Sequence, residues 1–121
     1  MKVSELEGVQ LDYWTARADG CAAKIMQPGE RLNGVLLDKP TCVALTHGYT
    51  DWWQPFHVYW GSAGPIIERE KISITIADYG KAWGACMPKA GGMPLSIGPT
   101  PLIAAMRAFV ASKLGEEVPT P

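Results

Sequence analysis

The stretch "GPTPLIAAMRAFVASKLGEEVP", residues 98–119, decides how this chain is read. Thr100 is placed to cap a helix, Pro101 to occupy its first position, and Gly115 to end it. Lys113 falls in the last turn, where the helix dipole favours a cation. The predicted helix therefore spans 101–114. At about 100° per residue, Leu102, Ile103, Met106, Phe109, Val110 and Leu114 fill one broad arc, the side expected to face a sheet. The opposite arc holds Ala104, Ala105, Ala108, Ala111 and Ser112, with Arg107 at its edge. Lys113 interrupts the apolar side, where its stem can snorkel. A helix with a wet back carries Glu, Lys and Gln there; small residues let a second backbone come close. The pattern predicts burial on two sides, against either the first helix or a second copy of the chain. The plainer reading is that alanines are good helix formers on an exposed face.

Upstream, Ser4 and Glu7 have the spacing of a capping box. They predict a helix running to about Ala18, with Gly20 as its stop. Leu6, Val9, Tyr13 and Ala16 share one stripe, while Leu11 and Trp14 fall off it and call for a second neighbour or partial exposure. From Cys21 the pattern turns β-like. "CAAKIM" and "TCVALTH" read as strands, and Asn33-Gly34 between "ERL" and "VLLD" is a hairpin signal. In "KISITIAD", Ile72, Ile74 and Ile76 alternate with Ser73 and Thr75, the period of a sheet with one wet face. "KAWGACM" returns with Trp83, Ala85 and Met87 on one face. "PKAGGMPLSIGP" reads as a connection.

The order helix, strands, helix predicts an α+β fold. Its simplest packing is an antiparallel sheet of about four to five strands, with the N-terminal and C-terminal helices on one face. At 121 residues the chain fits one domain, 1–121. Hydrophobic residues at 47% against 19% charged exclude a disordered chain. A net charge of −1 with no basic run removes the electrostatic footprint of a strong nucleic-acid binder. Cys21, Cys42 and Cys86 are odd in number and widely spaced, the pattern of reduced, mostly buried thiols in a cytosolic protein. No apolar run suits a signal peptide or a membrane span, so neither export nor insertion is expected.

The segment "YTDWWQPFHVYWGSAGP" concentrates the aromatics. We read 49–65 as a long loop pinned by Tyr49, Trp52, Trp53, Phe56, Tyr59 and Trp60, with a short strand at His57–Trp60 as an option. Trp and Tyr clusters mark binding surfaces because they bring large contact area with few rotatable bonds. Between Tyr49 and Ser62 there is no Lys or Arg, which disfavours stacking on nucleic acid there. The alternative is a satellite core that pins the loop. Tyr49, Asp51, Trp52, Trp53, Phe56, Tyr59 and Trp60 are the candidate partner-binding residues. Ala104, Ala105, Ala108, Ala111 and Ser112 are the candidate helix-back interface, which suits a homodimer. His47, His57, Asp51 and Cys42 match no zinc spacing, and no nucleophile elbow or phosphate loop occurs, so no metal, cofactor or catalytic residue is assigned. The alternating charges of Glu68, Arg69, Glu70 and Lys71 read as a solvated strand edge.

"LDYWTARADG" (11–20), "TDWW" (50–53), "GPIIEREKI" (64–72) and "GPTPLIAAMRAFVASKLGEEV" (98–118) together resemble the NinX-type family of small phage and prophage proteins. The resemblance runs from residue 1 to about 118. It departs between about 21 and 47, where this chain looks longer, and between Trp53 and Gly64. It implies a phage or prophage origin, a bacterial cytoplasm and an accessory role, and it carries no assigned chemistry. The functional expectation is a non-enzymatic protein that binds an unidentified phage or host protein. The alternatives are a nucleic-acid-binding module and a small ligand-binding protein or enzyme.

Overall fold

Local capping chemistry places the last helix where the sequence puts it. In the computed structural model, which describes residues 1–46, 49–52, 55–88 and 95–120, the Thr100 hydroxyl accepts the Ile103 N–H at 3.2 Å. Pro101 follows it and Gly115 lies just past the end. Before this helix, α3 (Pro101–Leu114), come a 3-10 turn at Val3–Glu5, helix α1 (Gly8–Ala18) and strands β1 (Ala23–Met26), β2 (Arg31–Leu32), β3 (Val35–Leu36), β4 (Thr41–Thr46) and β5 (Tyr49–Trp52). Helix α2 (Trp60–Glu70) and strands β6 (Ser73–Ala77), β7 (Ala82–Cys86) and β8 (Ser96–Gly98) complete the order.

Every strand pair is antiparallel. The α+β class, the antiparallel pairing and the helices toward both ends are as the sequence predicts. The strands divide differently: two three-stranded sheets, β1-β4-β5 and β6-β7-β8, and the two-stranded hairpin β2-β3. Helix α2 separates β5 from β6 in the chain and so parts the two sheets. Each terminal helix then takes its own sheet. Helix α1 rests on β1 and β4, α3 rests on β6, β7 and β8, and the two helices pack on each other. The second neighbour of α3 is thus α1, within the same chain. Ala104, Ala105 and Ala108 are buried, and Ala111 and Ser112 are half-buried.

Close approach is what the small residues provide. A Cβ on Gly98 would stand 2.6 Å from the Ala104 backbone nitrogen, so the first turns of α3 sit directly on β8. Phe109, Met106, Val110, Leu6 and Leu11 have no exposed surface and form the centre of the core. Leu11 finds the second neighbour its off-stripe position called for, since α1 packs both on its sheet and on α3. Met26, Leu32, Leu37 and Val43 make a smaller core under the hairpin. In that hairpin Asn33 and Gly34 have φ of 50° and 84°, the turn their sequence predicts. The ends close on each other: the Val3 N–H donates to Glu116 O and the Val118 N–H to Met1 O, both at 2.9 Å.

Several local expectations are corrected. The Ser4–Glu7 box does not form; Ser4 lies in the 3-10 turn, and Glu7 occupies the cap position of α1 without a side-chain cap bond. The segment 49–65 is not one long loop, since it contributes β5 and the first half of α2. "IIEREK" is mostly the end of α2, so its alternating charges line a helix and its cap, not a strand edge. Of the three alternating isoleucines, Ile72 is buried and Ile74 half-buried, but Ile76 is 64% exposed. "PKAGGMPLSIGP" contains β8. Of the cysteines, all of them free, only Cys42 is buried.

Candidate functional site

The segment after β5 is organised by a carboxylate on another element. Asp12 lies on the second turn of α1 and is only 3% exposed. It accepts the backbone N–H of His57 at 3.1 Å, and its two oxygens stand 2.8 and 2.9 Å from His57 Nδ1. The backbone of Phe56 hydrogen-bonds to it as well. Residues 55–59 form a single turn, closed by the Tyr59 N–H donating to Pro55 O at 3.1 Å. A turn of this kind leaves its first N–H groups without partners, and Asp12 satisfies two of them. Burial raises the Asp12 carboxyl above its ordinary value, and the hydrogen bonds from His57 and Phe56 work against that rise.

The turn is anchored below and open above. Phe56 is buried at 3% exposure and plugs the core, while Val58, Tyr59 and Trp60 are 55%, 51% and 55% exposed. Three large apolar side chains in a row therefore face solvent from a clamped backbone. Of the sequence-derived candidates, the structure makes Phe56 an anchor and Tyr59 and Trp60 a surface. The short strand considered at His57–Trp60 is this turn and the start of α2. Tyr49, Asp51 and Trp52 lie on β5, at positions paired with Thr46, Ala44 and Val43. Trp53 and His47 lie outside the described residues. The helix-back candidates Ala104, Ala105 and Ala108 are interior to the fold.

Beside the clamp is a cleft of about 300 Å³ whose walls include Asp12, His57, Lys39, Thr41 and Cys42. Cys42 brings a thiol to this cleft. Burial, with the Asp12 charge adding to it, pushes the Cys42 thiol up to about 12, so it stays protonated at neutral pH and is inert. Among the described residues no group of three or more His, Cys, Asp or Glu side chains converges to hold a metal ion. Among them, too, no helix is long and apolar enough to cross a membrane.

Asp12 and Val58 were missed by sequence reasoning. Asp12 carries no local signal, because its partners are 44 and 45 residues away in the chain. Val58 is an isolated aliphatic among aromatics, and only its exposure marks it. Over residues 2–113 the chain matches the family described as Bacteriophage P22, NinX. No curated protein matches it.

Proposed function

This chain belongs to the phage P22 NinX family, and from that premise we propose that it is a phage or prophage accessory protein that works by binding a protein rather than by catalysis. It acts in the cytoplasm of the bacterial host. The contact is made by Val58, Tyr59 and Trp60, and the partner is a phage or host protein with an apolar pocket for the aromatic side chains. One observation carries this reading: three consecutive large apolar residues are each more than half exposed, on a turn whose stem is buried at Phe56 and clamped by Asp12. A display fixed in advance loses little freedom on binding, which leaves more of the contact energy as affinity. The absence of Lys and Arg from 49–62 favours a protein over a nucleic acid.

The test compares the wild-type chain with a Tyr59→Ser, Trp60→Ala double variant in pull-downs from phage-infected cells. The wild type is expected to retain a protein that the variant loses, while both give the same circular dichroism and melting temperature. Identical partner lists would count against the surface. Light scattering on the purified chain decides whether the retained protein is a second copy.

A further inference from the structure

Arg107 lies in the middle of α3 and is only 9% exposed. Its Nε–H donates to the Leu6 carbonyl and its Nη1 to the Ile97 carbonyl, each at 2.8 Å. A guanidinium has five N–H donors in a planar fork, so these two bonds leave donors over. Among the described residues it forms no salt bridge with a carboxylate. Burial lowers the Arg107 pKa, and the Glu7 carboxylate, acting through space, offsets that only in part.

The same group borders a cleft of about 600 Å³, within the size range of small-molecule sites. Leu95, Ile97 and Ala111 give the cleft an apolar wall, and Lys2, exposed and screened by water, lies at its edge. Glu116 and Glu117 also line it, but both are exposed. Water screens their charges, while the field of Arg107 acts from a low-dielectric wall. Leu95 and Ile97 are each 45% exposed, so an apolar group lying along them would cover surface now wet.

We infer that this cleft binds a small organic carboxylate with an apolar body, the carboxylate seated on Arg107. The planar fork matches the two oxygens of a carboxylate, and such charge-assisted bonds are stronger than neutral ones. The bonds to Leu6 and Ile97 already hold the guanidinium still, so little rotamer freedom is lost on binding. The site shares no residue with the Val58–Trp60 surface and stands or falls separately from it.

Titration of the isotope-labelled full chain with sodium hexanoate, followed by NMR, tests the assignment. The Arg107 Nε–H and the Ser96 and Ile97 amide resonances are expected to move and saturate. Hexanol, the uncharged counterpart, is expected to bind at least about tenfold more weakly, the loss of one charge-assisted contact. Inorganic phosphate is expected to bind more weakly too, because it leaves the apolar wall uncovered. Ala111→Leu fills the apolar wall of the cleft and is expected to abolish the shifts while the melting temperature holds. Unmoved resonances, hexanol or phosphate binding as tightly as hexanoate, or full binding to Ala111→Leu would each overturn the inference.

Discussion

Helices α2 and α3 are neighbours in the fold and opposites in how they are made. Helix α3 carries its own boundaries: a Thr cap, a Pro in the first position and a Gly after the end. Helix α2 has no side-chain cap, holds Gly61, Gly64 and Pro65, and ends on Lys71 in the left-handed region, at φ 55° and ψ 47°. Proline inside a helix removes a backbone donor, and glycine weakens it further. Its stability comes from elsewhere. Ala63 and Ile66 are buried against the core. Arg69 pairs with Asp19 at 2.6 Å and Glu70 with Lys113 at 3.1 Å, tying α2 to the end of α1 and to α3. Asp12 holds the turn that feeds it. One helix is specified by local chemistry and the other by its surroundings. The exposed Val58–Trp60 surface lies on the turn that leads into the second and on its first residue.

That contrast can be broken by substitutions at four positions. Phe109 has no exposed surface and lies at the centre of α3, with Arg69 and Lys113 each 5.9 Å from its ring centroid. Phe109→Ala is expected to cost about 3–5 kcal/mol in denaturant melts and to loosen both helices together. Asp12→Ala removes the clamp and leaves two backbone donors without their partner. It is expected to cost about 1–3 kcal/mol, with hydrogen exchange faster at Ala63 and Ile66 than in α3. Equal loss of protection in both helices would show that α2 does not depend specifically on the clamp.

Acidity probes the clamp through a second variant at the same position, Asp12→Asn. The folded-state pKa of Asp12 is raised, so the folded protein favours its protonated form. The stability Asp12 contributes is fully present below its unfolded value and is lost as pH rises through the folded value. Wild type minus Asp12→Asn is expected to show that fall in the carboxylate range, and a flat difference would refute it. Thr100→Ala should cost about 1 kcal/mol by removing the cap of α3, read as fraying of its first turn with α2 unchanged. Lys71→Gly should stabilise by about 0.5–1 kcal/mol, because glycine enters the left-handed region without the Cβ penalty. It would give α2 the ending that α3 already has.

The same division explains what could be read in advance. The bounds of α3, the Asn33-Gly34 hairpin and the alternation around Ile72 and Ile74 depend on residues within a few positions of each other. The strand at Tyr49–Trp52 escaped notice because aromatics and an Asp do not alternate cleanly, and its assignment depends on pairing with β4. Helix α2 escaped because its glycines and proline argue against a helix locally. Arg107 was placed at the edge of a wet or docking face, and its burial became visible only with β8 and the turn after Glu5 beside it. For the candidate site, aromatic composition pointed to 49–60 but not to which side chains face water.

From residue order alone, this protein's class, its terminal helices and the small-residue back of α3 follow, because periodicity and turn chemistry act over a few residues; the family resemblance rests on longer motifs. Tertiary structure decided that the second neighbour is α1, that the strands split into separate sheets, and that Phe56 is anchor while Tyr59 and Trp60 are surface. Those outcomes depend on contacts between residues far apart in the chain, such as Asp12 with His57 and Arg107 with Leu6, whose energies exist only once the elements have met.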